Sequence, residues 1–220
     1  MSETVSPERR PRRRRFEQAH LWSSTVTGLV ALGLSLYSFA ALRRSPEIDV
    51  SLPHVLRISQ EKDVWVILQP TMSSRLNTED VEVVTDVRLA LRPSGTTGVS
   101  PTPRFYWENN VSWKYDEQTG GLKHNPVSDP APLVVSQSMP QQPVIHFIAA
   151  EWKFRPGRYE GTVTLSRASS RAPITKRFCL NITEEDLGQF RSGGQFRQFE
   201  FRNDVPPAAS RQGDCYAGWA

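Results

Sequence analysis

Cysteine is almost absent from this chain, with two in 220 residues, Cys179 and Cys215. That excludes a multiply stapled miniature scaffold and a four-cysteine zinc site, and leaves one possible bridge. Histidine is nearly as scarce. The four present, His20, His54, His124 and His146, show neither the i, i+4 nor the His-x-Glu spacing that sets metal ligands on one face. A Gly-x-Ser-x-Gly elbow and a phosphate-cradling glycine loop are both missing. Carboxylates such as Asp116-Glu117 and Glu184 to Asp186 read as solvated clusters. With no catalytic motif and no cofactor or metal signature, the expectation is a protein that binds rather than an enzyme.

Charge is missing from one long stretch. Leu21 to Leu42, LWSSTVTGLVALGLSLYSFAAL, is a run of 22 residues without a charged side chain, with Arg15 and Glu17 before it and Arg43-Arg44 behind. As a helix rising ~1.5 Å per residue it would reach roughly 33 Å, enough for a hydrocarbon layer of about 30 Å. The reading is a single transmembrane helix. Arg9, Arg10, Arg12, Arg13, Arg14 and Arg15 lie on its N-terminal side against two arginines behind it, which orients the N-terminus to the cytoplasm. These arginines also suit anionic inner-leaflet lipid. Trp22 and Tyr37 fall near the two headgroup zones. Thr27, Ala31 and Ser35, at i, i+4 and i+8, form a small-residue stripe that allows a close helix contact. A cleaved signal peptide is the competing reading, since Phe39-Ala40-Ala41 ends the run in small residues and Arg13-Arg14-Arg15-Phe16 resembles a twin-arginine signal. The run exceeds the 7 to 15 residues of a signal core, which favours an uncleaved anchor.

Basic charge is also missing from the chain beyond the anchor. The net charge is +4, of which the first 20 residues hold +3 and Arg43-Arg44 another +2, leaving −1 from Ser45 onward. Nucleic acid is therefore not an expected partner, because no basic face is indicated on the folded part. The expected organisation is a basic cytoplasmic tail over 1–20, the span over 21–42, an extracytoplasmic β-sandwich over 43–203 and a flexible C-terminal tail over 204–220. About 160 residues outside the membrane suffice for one independent core.

The soluble part repeats with period two almost throughout. Val50, Leu52, His54, Leu56 and Ile58 alternate with Ser51, Pro53, Val55 and Arg57 and predict one half-buried strand, with His54 on its apolar face and Pro53 marking an edge. Val64 to Leu68, VWVIL, suits a central strand buried on both faces. Val83, Thr85, Val87, Leu89 and Leu91 predict another half-buried strand. Asn109-Asn110 can accept the positive φ of a tight hairpin turn, which would pair Tyr106 with Trp113 and Phe105 with Lys114. Tyr106, Trp107 and Trp113 then become candidate aromatics for a sugar or a protein partner. Gly120 to Pro143, rich in proline, is expected to run extended over the surface, with Leu133-Val134-Val135 as a short edge strand.

Arg155-Pro156-Gly157-Arg158-Tyr159-Glu160-Gly161-Thr162-Val163-Thr164-Leu165 is the most regular piece. A Pro-Gly turn opens a strand with Tyr159, Gly161, Val163 and Leu165 facing inward. This resembles the strand after the corner turn of immunoglobulin-like and fibronectin-like sandwiches, in which a tyrosine bonds back to the preceding backbone. The resemblance implies an all-β, immunoglobulin-like antiparallel sandwich and carries no function. The return strand from Ile174 to Ile182 turns Cys179 outward, where Cys215 is the available disulfide partner. Thr183 to Asp186 resembles a capping box opening a short helix, and Gln195 to Phe201 a last strand.

The functional expectation is a single-pass, membrane-anchored extracytoplasmic binding protein, a subunit or accessory factor of a cell-envelope assembly with a protein partner. The alternatives are a cell-wall or surface glycan-binding module and an anchored hydrolase.

Overall fold

The computed structural model describes residues 11–42, 47–75, 81–95, 102–117, 121–170, 172–192, 198–204 and 215–218. Helices are α1 (Pro11–Leu42) and α2 (Glu184–Ser192). Strands are β1 (Ile48–Ser51), β2 (Val55–Gln60), β3 (Val64–Leu68), β4 (Thr71–Ser74), β5 (Glu82–Pro93), β6 (Tyr106–Asp116), β7 (Gly121–Ser128), β8 (Leu133–Val135), β9 (Ile145–Ala149), β10 (Gly157–Arg167), β11 (Ile174–Ile182), β12 (Phe199–Arg202) and β13 (Ala217–Gly218). The chain divides into two compact units, one holding α1 and the other, from Ser45, holding every described strand.

In the first unit α1 covers the whole uncharged run and extends N-terminally to Pro11. Thr27, Ala31 and Ser35 are exposed on it. Arg12 to Arg15 lie within its first turns, whereas Arg9 and Arg10 fall outside the described residues. Among the described residues no helix is long and apolar enough to cross a membrane.

The second unit is mostly antiparallel β. A four-stranded sheet runs β11-β10-β5-β8, a seven-stranded sheet β13-β12-β2-β3-β9-β6-β7, and β1 pairs with β4. The two large sheets enclose one apolar core. Leu56, Val66, Ile145, Phe147 and Phe201 come from the seven-stranded sheet, and Val87, Leu91, Val163 and Leu165 from the four-stranded one. The phenol of Tyr159 closes the turn before β10: its O–H donates to Arg155 O at 2.8 Å and its oxygen accepts from Arg155 N–H at 2.9 Å. Glycine is obligatory two residues on, because a Cβ at Gly161 would run into the Phe178 ring that lies across it. Thr183 and Asp186 exchange backbone and side-chain bonds that cap α2, and Phe190 carries that helix onto Phe154, Phe199 and Phe201.

Several expectations are corrected. The single strand over 50–58 is two, β1 and β2, in different sheets, because Leu52-Pro53-His54 breaks the ladder and leaves His54 exposed. In β5 the alternation changes phase: Val84 and Glu82 are buried, and a register shift between Ser166 and Arg167 absorbs the extra residue. Asn109-Asn110 is no turn, since β6 continues through it without reversing and pairs with β9 before and β7 after. The reversal falls instead between Asp116 and Gly121. Gly120 to Pro143 is accordingly not one surface loop, because β7 and β8 lie inside it.

The C-terminal tail is tied down where it is described. Cys179 and Cys215 form a disulfide. Tyr216 beside it is 1% exposed and bonds through its phenol to Pro53 O. Backbone bonds from Asn181 N–H to Tyr216 O (2.8 Å) and from Tyr216 N–H to Cys179 O (2.9 Å) hold this segment to β11, and β13 pairs with β12. The last strands thereby join the edges of both sheets.

Candidate functional site

Three residues on the far side of the seven-stranded sheet from the core are nevertheless buried: Ser59, Ile67 and His146 are 4%, 2% and 3% exposed. Their cover is the β6–β7 hairpin. Beyond β9 the hairpin pairs only with itself, and register shifts at Trp107/Asn109 and at Asn110/Val111 bend it back across the sheet. Bulges increase local twist and re-aim side chains in this way. Trp113 and His124 are directly opposed on the hairpin.

These rings meet the sheet face. His124 lies 5.2 Å from His146 and 5.7 Å from Trp65 between centroids, and Trp65 stands edge-on to His146 at 5.1 Å. His146 Nδ1–H donates to Asn109 Oδ1 (3.3 Å), while its buried Nε2 meets no hydrogen-bond partner among the described residues. Gln198 bonds to His124 Nδ1. Burial, then the neighbouring His124, push the His146 imidazole down from 6.5 to about 4, and burial lowers His124 as well. Both rings are neutral near pH 7, so a histidine pair with no counter-ion can hold a hairpin in place.

Beside this cluster the hairpin leaves a half-open cleft of about 270 Å³. Val55 and Arg57 of β2, Ile67 of β3, Gln69, Pro53 and Trp113 line it. Pairing places Arg57 beside Ile67 on one side and Glu200 on the other. Its guanidinium lies 4.5 Å from the Trp113 ring centre and its Nη2–H donates to Glu200 Oε1 at 2.7 Å. Stacking on an aromatic face fixes the plane of an arginine while leaving its edges available. An apolar wall, the Trp113 indole, the Arg57 cation and the Gln69 amide are the ingredients of a small-ligand site.

The sequence-predicted aromatics do not form one platform. Tyr106 is exposed and opposite Ile148, Trp107 turns to the core side opposite Phe147, and Trp113 alone reaches the cleft. Their expected grouping depended on a turn at Asn109-Asn110. Arg57, Gln69 and the His124–His146 pair were not singled out by sequence. The available signal was the glycine pair Gly120-Gly121, which marks a chain reversal after Asp116 more readily than Asn-Asn does. The hairpin ends in an exposed cross-strand pair, Tyr115 (60%) and Leu122 (47%).

No protein-family model and no curated protein sequence matches this chain. Among solved structures it is similar to a family 123 glycoside hydrolase from Clostridium perfringens, determined in a study of glycolipid glycan hydrolysis. The identity is 9%, the TM-score 0.33, and the match covers 64% of this chain and 28% of that one. The chain thus spans under a third of that enzyme.

Proposed function

We propose that this chain is a single-pass, membrane-anchored extracytoplasmic binding protein, a subunit or accessory factor of a cell-envelope assembly, whose sandwich is immunoglobulin-like. Four observations support it. The uncharged run from Leu21 to Leu42 is flanked by an arginine excess on its N-terminal side. The Cys179–Cys215 disulfide suits an oxidising compartment. The Tyr159 corner suits the sandwich type. The observation that carries the binding role is the β6–β7 hairpin, which presents Tyr115 and Leu122 to solvent at the edge of the large sheet. Exposed tyrosines are common anchors of protein contacts, and the neighbouring leucine adds apolar area beside the ring.

The test is photo-crosslinking from position 115 or 122 of the full-length chain in its native membrane, followed by mild-detergent purification. A stoichiometric membrane partner crosslinked at the hairpin, and lost in Tyr115→Ser/Leu122→Ser, is the expected result. Recovery of the chain alone, or a partner unaffected by that variant, refutes the role assigned to the hairpin.

The cleft favours a second reading, a glycan-binding module, because Trp113 offers a ring beside the hydrogen-bonding groups of Arg57 and Gln69. That reading predicts that Trp113→Ala loses retention on envelope polysaccharide while the fold persists.

A further inference from the structure

We propose that the cleft beside Trp113 receives a small organic carboxylate, with Arg57 reading its charge. This rests on taking the cleft as a ligand site and is independent of what the hairpin contacts.

Arg57 is the cleft's fixed cation. Its side chain is 21% exposed, and the indole of Trp113 holds its guanidinium in one plane. Glu200 occupies a single donor, Nη2. Nε and Nη1 make no hydrogen bond among the described residues, so they stay available in that plane for an incoming carboxylate. Val55 and Ile67 flank this position and give it an apolar wall, beside which a charge-assisted hydrogen bond is stronger than in open water. Gln69 is steadied by its Nε2–H bond to Gln142 O (3.2 Å) and lines the same space, where its Oε1 can accept from a ligand hydroxyl or amide. The cleft volume matches a monosaccharide or a dipeptide rather than a polymer segment buried whole.

Glu200 has a defined part in this arrangement. It is itself a carboxylate, 37% exposed and ion-paired at 2.7 Å with the arginine that the ligand must engage, so it competes for that cation. Removing that neighbouring negative charge must therefore tighten carboxylate binding.

Two sources carry this chemistry, an acidic sugar and a peptide C-terminus, and the experiment separates them. Full-length protein in detergent micelles is titrated by saturation-transfer NMR with N-acetylmuramic acid against N-acetylglucosamine, and with alanyl-alanine against its C-terminal amide. The acid of one pair should bind about tenfold or more tightly than its neutral counterpart, and that pair names the source. Arg57→Gln should erase the preference, Arg57→Lys should keep part of it, and Glu200→Gln should increase acid affinity severalfold. Thermal melts of each variant confirm folding.

Equal binding of acid and neutral members, abolished by Trp113→Ala, overturns the carboxylate assignment and leaves the cleft as a ligand site. No binding by any probe overturns both. Loss of acid affinity in Glu200→Gln, matching the loss in Arg57→Gln, overturns the competitor role.

Discussion

Replacing both cysteines, Cys179→Ala/Cys215→Ala, tests what holds the C-terminal segment in place. The bridge spans 36 residues of sequence. Opening a loop of that length returns roughly 13 cal/mol/K of chain entropy to the unfolded state, or about 4 kcal/mol at room temperature. The native contacts around it are already closed, with Cys215 and Tyr216 at 0% and 1% exposed, so the loss is expected to fall mainly on the unfolded side. With a urea slope of about 2 kcal/mol/M, the unfolding midpoint should drop by about 2 M. The assay is urea unfolding followed by tryptophan fluorescence on the full chain, with amide exchange alongside. The amides of Asn181 and Tyr216, which bond across the junction, should exchange faster in the variant than those of the β10–β11 ladder. A midpoint shift below about 0.5 M with both amides still protected would refute the reasoning, because the apolar seat of Tyr216 would then suffice alone.

Acid should weaken the domain through His146. Its folded value of about 4 lies below the ordinary 6.5, so the unfolded chain takes up a proton first as pH falls. The contribution is complete above about pH 6.5 and is lost progressively down to about pH 4, to the extent of about 3 kcal/mol at most. A stability–pH curve for His146→Gln should be flatter across that window, and an unchanged slope would count against the buried neutral ring. Gly161→Ala should cost about 1 to 3 kcal/mol by displacing Phe178, with a smaller cost in a Phe178→Ala background; strict additivity in a double-mutant cycle would refute the contact. Tyr159→Phe removes both bonds to Arg155 and should cost about 1 to 3 kcal/mol in thermal unfolding, so an unaltered melting temperature would argue against the corner.

Strands whose alternation is undisturbed were legible in sequence. Tyr159 to Leu165 and Val64 to Leu68 could be read directly because one face, or both, meets a continuous core. Where the ladder shifts register, the same reading fails. The extra residue in β5 inverts the faces around Val83 and Val84, and a period-two pattern carries no mark of it. The cleft was illegible for a related reason. Arg57 and Trp113 are 56 positions apart in the chain and meet only because two bulges bend β6. Tertiary pairing also overrode the local preference of Asn109-Asn110, since β6 gains ladder bonds to β9 and β7 by continuing through it.

The stitching of β13 and Tyr216 to opposite sheets sets an order on assembly. β2 emerges early from the ribosome, yet its neighbour β12 comes about 140 residues later, and the segment that latches both edges comes later still. Throughout synthesis the side of β2 that will receive β12 is an unpaired template. Such long-range closure is slow, and an open apolar edge invites the wrong strand. Cells making this protein therefore face their greatest hazard of misassembly in the interval before residue 215 arrives, and oxidation of the thiols is the event that ends it.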